Sequence, residues 1–139
     1  MELKKEFSAG GVIVDGTNAH GPRALLIRIR QEAFEIPKGH VEPGESNQEA
    51  AIRECIEEVG CTSELETKEK VGEVTYRFPK DQFEVEKKVT YFRIECLDEF
   101  QYSKPKRTRE VKWIGLGELE TIQLVSEELR AIIANALTH

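Results

Sequence analysis

Three glutamates, Glu54, Glu57 and Glu58, crowd the stretch RECIEEVG from Arg53 to Gly60. Spacings of three and four bring side chains to one side of a helix, so the three carboxylates would repel one another. The negative end of the helix dipole makes anions still less welcome there. A helix surface built for stability places Lys or Arg four residues after Glu, yet Glu54 is followed at that spacing by Glu58. An ordinary solvated acidic face is the competing reading. The pattern costs stability unless something positive fills it, and hard divalent cations such as Mg²⁺ or Mn²⁺ prefer oxygen ligands. The preceding segment PKGHVEPGE, Pro37 to Glu45, can add a backbone carbonyl and basic side chains. Such an assembly suits phosphate chemistry, in which a metal neutralises charge and helps deprotonate an attacking water.

These residues must be held by a helix. Ser46 with Glu49 three positions later forms a capping box, so the helix starts at Ser46, and Gly60 is a natural left-handed stop. Ile52, Cys55, Ile56 and Val59 recur at helical spacing and predict a buried stripe, with the glutamates on the opposite side. Upstream, EFSAGGVIV and ALLIRIR read as two strands joined by a polar loop, and FEIPKGHVEPGES, with two prolines and two glycines, as a loop. EKVGEVTYRF and EVEKKVTYFRIEC predict an antiparallel hairpin with a sizeable loop at PKDQFE. RTREVKWIGL reads as a further strand followed by a short helical turn near Glu118, and VSEELRAIIANALT as an amphipathic helix capped by Ser126. The sum is α/β: a mixed sheet with helices packed against it.

The chain has 139 residues, enough for one domain with a real core, so residues 1–139 are expected to form a single domain. It is 39% hydrophobic and 33% charged, without an apolar run long enough to span a membrane. MELKKEF offers no hydrophobic leader, which gives a cytoplasmic location as the expectation. Cys55, Cys61 and Cys96 match no zinc spacing and read as small core thiols. A formal charge of -6 argues against general nucleic-acid coating, so a phosphate substrate would need cations as intermediaries.

The segment from 39 to 61 resembles the signature of the Nudix hydrolases. Gly39, Glu45, Arg53, Glu54, Glu57, Glu58 and Gly60 stand at every fixed spacing of that signature, and Cys55 and Cys61 replace the usual aliphatic residues. The replacements are small and apolar, with slightly looser packing as the expectation. The resemblance implies an α/β/α sandwich and hydrolysis of a nucleoside diphosphate linked to another group. It also implies Glu54 and Glu58 as chief metal ligands, Glu57 and the Gly39 carbonyl as further ligands, and a Glu45–Arg53 pair that orients loop on helix. Arg53 and Glu45 thus join the three glutamates as expected catalytic-site residues.

Within the family, PKGHVEPGE looks like the form found in asymmetric diadenosine tetraphosphate hydrolases. That likeness implies Mg²⁺-dependent cleavage to ATP and AMP, with Lys38 and His40 near the polyphosphate and Tyr76 stacking on adenine. Tyr76 also alternates with Val74 and Phe78, so a core role competes. Of Lys87 and Lys88, the better match in register to a phosphate-binding lysine is Lys88, against an ordinary edge-strand charge. Arg28 and Arg30 would share a strand face and meet either phosphate or solvent. Arg107 occupies a place where the family often carries a glutamate, leaving Glu54, Glu57 or the nearby Glu110 to act as base. The basic run Lys104, Lys106, Arg107 and Arg109 lacks interleaved aromatics, so it reads as a solvated loop or a polyphosphate clamp and not an RNA site. A monomer is expected. The alternatives are another Nudix substrate, namely a nucleoside triphosphate, an RNA 5′ end or a diphosphoinositol polyphosphate, and a catalytically silent nucleotide-sensing module.

Overall fold

The computed structural model describes residues 1–138. Six strands build one mixed sheet: β1 (Glu2–Asp15), β2 (Arg23–Arg28), β3 (Lys38–His40), β4 (Leu65–Lys80), β5 (Phe83–Cys96) and β6 (Glu110–Gly115). The helices are α1 (Asn47–Val59), α2 (Leu116–Leu119) and α3 (Glu128–Leu137). Strands run in the order β4-β5-β1-β2-β6, with β3 paired to β1. β1 lies parallel to β5 and antiparallel to β2 and β3.

Strand alternation divides β1 between two cores. Ala9 and Ile13 face the α1 side with Leu25, Ile27, Cys55, Val59 and Ile94, while Val12 faces the α3 side with Leu26, Val89, Ile114 and Ile133. Both sheet faces are covered, which makes the expected α/β/α sandwich. Cys55 and Cys61 are buried and all three cysteines are free, so the thiols at 55 and 61 are packing groups.

Helix α1 begins and ends where the sequence indicates. The Glu49 amide donates to Ser46 Oγ at 3.0 Å and the Ser46 amide to Glu49 Oε1 at 2.9 Å, while Gly60 closes the helix at φ 77°. Its buried face differs from the expected stripe. Ala50, Ala51, Cys55 and Val59 pack inward, whereas Ile56 is 43% exposed. Small residues let the helix approach the sheet: the Cys55 thiol meets the Gly11 carbonyl at 3.6 Å. Glu54 and Glu58 then fall on the buried edge of α1, each 8% exposed, and only Glu57 projects into solvent.

Three other expectations are corrected. Part of FEIPKGHVEPGES is a strand, because Lys38–His40 pairs with Ser8–Gly10. The long hairpin has no sizeable loop: pairing continues to Lys80 and Phe83, and Asp81, at φ 57°, takes the left-handed turn that a two-residue connection requires. Ser126 gives α3 no side-chain cap; its backbone carbonyl accepts from the Leu129 amide at 3.2 Å.

Candidate functional site

The loop carrying β3 is fastened to α1 by two sets of bonds. Arg53 donates from Nε to Glu45 Oε2 at 2.7 Å and from Nη2 to Glu45 Oε1 at 3.0 Å, the two-pronged geometry that suits a guanidinium and a carboxylate. The same Nη2 reaches the His40 carbonyl at 2.8 Å. Arg53 holds the Glu45 carboxyl down at about 2. The pair expected between Glu45 and Arg53 is therefore present and clamps both ends of the loop. In the second set, the Lys38 amide donates to Glu58 Oε1 at 2.8 Å.

Gly39 lies between these fastenings. A β-carbon there would come within 2.1 Å of the Glu54 carboxyl carbon, so a residue without a side chain is what allows backbone and carboxylate to touch.

Arg53 also relieves much of the expected repulsion. Its Nη1 bonds Glu54 at 2.8 Å and Glu57 at 3.3 Å. Among the described residues Glu58 has no such cation. Burial is the main cause that pushes its carboxyl up to about 7, with Glu54 and Glu35 adding to the rise while the Lys38 amide and Arg107 oppose it. The electrostatic frustration thus concentrates on Glu58.

Glu54, Glu57, Glu58 and the Gly39 backbone form an all-oxygen donor set, which fits a hard divalent ion in its chemistry. Among the described residues, however, no three His, Cys, Asp or Glu side chains converge on one point as a ready cage. Arg53 holds two of the carboxylates and the Lys38 amide holds the third, so an ion would share these groups with bonds already made.

Glu58 opens onto a cleft of about 1080 Å³ between the loop, the β4–β5 hairpin and the start of α3. Lys38, Gly39, His40 and Tyr76 line it as the sequence suggests. Tyr76 is 41% exposed and stacks on Phe78 at 5.8 Å, so it is a surface aromatic on the cleft wall and not a core residue. Lys87, not Lys88, lines the cleft. Alternation along β5 sends Lys88 to the other sheet face, where it meets Glu73 at 3.4 Å.

Arg30, Arg107 and Arg109 also line the cleft. Arg28 does not share the role of Arg30, since Glu32 and Glu110 hold it at 3.0 and 3.2 Å. That pairing engages Glu110 away from the cleft. Lys104, Lys106, Arg107 and Arg109 are all exposed; Lys104 bonds the Thr108 carbonyl, and Arg107 and Arg109 face the cleft. Sequence reasoning missed Glu35, a half-buried carboxylate on the cleft wall. The signal was available: a single charge between the buried Phe34 and Ile36 must face away from their core.

A family model described as NUDIX domain matches residues 5–136. The chain is 31% identical over 138 residues to MutT4, a candidate mutator protein of Mycobacterium tuberculosis, covering 94% of this chain and 54% of that protein. It is 31% identical over 110 residues to Nudix hydrolase 4 of Arabidopsis thaliana, covering 78% of this chain and 51% of that one. The chain thus spans about half the length of these curated relatives. The structure of a Caenorhabditis elegans Ap4A hydrolase superposes with a TM-score of 0.66 at 26% identity, covering 95% of this chain and 96% of that one. A MutT protein from Methanosarcina mazei gives a TM-score of 0.64 at 21% identity over 98% and 95% of the two chains, a likeness of fold alone.

Proposed function

The chain belongs to the NUDIX family, and from that premise we propose that it is a Mg²⁺-dependent hydrolase of dinucleoside polyphosphates resembling diadenosine tetraphosphate, releasing ATP and AMP. One observation carries the reading: Glu58, bonded to the Lys38 amide but to no cationic side chain among the described residues, opens onto a cleft whose other walls supply Lys38, Lys87, Arg30, Arg107 and Arg109. An acidic point facing a basic wall suits a polyphosphate that approaches with a cation.

Glu54, Glu57, Glu58 and the Gly39 carbonyl would hold the ion, Mg²⁺ or Mn²⁺. When bound, it would supply charge neutralisation at phosphorus and a more acidic water. Lys38, His40 and Lys87 bind and orient the phosphates, the two lysines by charge. Lys88, paired with Glu73 on the other face, is left out of this role. Tyr76 stacks on a base, and Arg53 with Glu45 keeps the loop in register with α1. Arg107 neutralises phosphate where a glutamate would have served as base. With Glu110 held by Arg28, that function falls to the helix carboxylates. No helix among the described residues is long and apolar enough to cross a membrane. The reading includes a monomer and no nucleic-acid partner.

The neighbour named Ap4A hydrolase supports this substrate class. The relative named MutT4 favours, as a second reading, hydrolysis of a nucleoside triphosphate in the same cleft. Incubating the protein with Mg²⁺, ¹⁸O-labelled water and a panel of dinucleoside polyphosphates, nucleoside triphosphates, capped RNA and diphosphoinositol polyphosphates separates the readings. ATP plus AMP from the tetraphosphate, with label in one product, is the expected result. Turnover of triphosphates alone moves the assignment to the second reading, and binding without turnover moves it to a sensing module.

A further inference from the structure

Helix α1 ends without the positive charge that its last turn would favour. The C-terminal carbonyls of a helix lack intrahelical partners and carry the negative end of its dipole, yet α1 has no basic residue in that turn. A segment from far along the chain supplies both donors and charge. The Ser103 amide donates to the Gly60 backbone carbonyl at 2.9 Å, and the Thr108 hydroxyl donates to the Glu58 backbone carbonyl at 2.6 Å. Gly60 makes the crossing possible, since a β-carbon there would stand 1.8 Å from the Ser103 carbonyl oxygen.

Between these two fastenings the chain forms a basic arch. The Thr108 amide donates to the Pro105 carbonyl at 3.1 Å, which closes a turn with Lys106 and Arg107 at its corners. Lys104 bonds the Thr108 carbonyl, and the Arg109 amide donates to the Arg28 carbonyl at 2.8 Å, leading the chain into β6. Thr108 is fully buried, while its neighbours Arg107 and Arg109 are exposed and line the cleft that Glu58 enters. An aliphatic side chain of the same shape would fill the space at Thr108 but deprive the Glu58 carbonyl of this donor. The hydroxyl therefore fixes where the two arginines emerge relative to the helix that carries Glu54 and Glu58.

We propose that Thr108 is a positioning residue for polyphosphate binding: its bond to the Glu58 carbonyl sets Arg107 and Arg109 beside the acidic edge of α1, so that a phosphate chain meets both at once. Thr108 touches no substrate and acts through the two arginines. Side chains held in place before association bind more tightly, because less ordering remains to be done. This deepens, and rests on, the reading of the cleft as a polyphosphate site.

The test measures binding of inorganic tripolyphosphate by calorimetry, without Mg²⁺ and at fixed ionic strength. The proteins are the wild type, Thr108→Val, Thr108→Ser, the pair Arg107→Ala with Arg109→Ala, and that pair combined with Thr108→Val. Thermal melts report folding. Thr108→Val should weaken binding by about 3- to 10-fold, the scale of one or two side chains left to be ordered. Thr108→Ser keeps the hydroxyl and should stay within about twofold of the wild type. Once both arginines are gone, Thr108→Val should add no further loss. Wild-type affinity in folded Thr108→Val overturns the inference. So does an equal factor lost in the background lacking both arginines, which would make Thr108 a support of the fold alone. Should Thr108→Val fail to fold, Thr108→Ala, which admits water to the Glu58 carbonyl, is compared with Thr108→Ser by the same criteria. A wild type that binds tripolyphosphate but hydrolyses no nucleotide removes the enzymatic reading alone, and the variants still decide the inference. A wild type that binds none overturns the inference, whatever it hydrolyses.

Discussion

Glu58 Oε1 accepts the Lys38 amide at 2.8 Å, so the carboxylate with the greatest electrostatic strain also ties the loop carrying β3 to helix α1. Strain and fastening meet in one side chain. Glu58→Gln can keep the hydrogen bond, because an amide oxygen also accepts, while losing the charge. The expected outcome is a melting temperature equal to or above the wild type at pH 7 with turnover lower by orders of magnitude. Equal loss of stability and activity would remove Glu58 from the reaction.

The same residue sets a pH dependence. A carboxyl raised from 4.5 to about 7 in the folded chain binds its proton more tightly than in the unfolded chain. Its contribution to stability is therefore fully present below 4.5 and declines as pH rises through about 7. Metal-free wild type should lose denaturant midpoint across that window relative to Glu58→Gln. Added Mg²⁺ should restore part of the loss at pH 7, because ion uptake favours the ionised form. Parallel midpoint curves for the two proteins would contradict the assignment.

Gly39→Ala separates position from fold. The added carbon would meet the end of a flexible side chain, the Glu54 carboxylate, which can swing away at modest cost. Stability should fall by no more than about 1 kcal/mol, whereas displacing a reacting-site group by about 1 Å can lower turnover by roughly 100-fold. Chemical denaturation beside steady-state hydrolysis checks both.

Arg53→Lys tests the clamp. Lysine keeps the charge but cannot present the fork that bonds both Glu45 oxygens and the His40 carbonyl. A loss of about 1–3 kcal/mol is expected from the broken charge-assisted bonds, accompanied by weaker Mg²⁺ binding in calorimetry. A variant with wild-type stability and metal affinity would show that the clamp is dispensable.

The adjacent lysines provide an internal control. Lys87→Ala should raise KM for a polyphosphate substrate several-fold through loss of a cleft charge, and Lys88→Ala should leave it near the wild type. The reverse ranking would return the phosphate role to Lys88.

Much of this protein was legible in its residues because the informative signals are local. The capping box at Ser46, the stop at Gly60 and the match to a family signature act over a few residues or at fixed spacing, so they located α1, the segment before it and the cluster of glutamates. The sheet class followed from alternation and turn residues in the same way. What the linear pattern could not decide depended on which neighbours arrive from far along the chain. Helix α1 packs through Cys55 against Gly11, in an orientation that leaves Ile56 exposed and Glu54 and Glu58 buried. Pairing of β5 between β4 and β1 chose Lys87 over Lys88 for the cleft. Arg28 captured Glu110 from 82 residues away, and no spacing rule contains that contact. Sequence thus determined which groups the site owns; tertiary packing decided which of them face one another, because burial and long-range pairing exist only after the sheet closes.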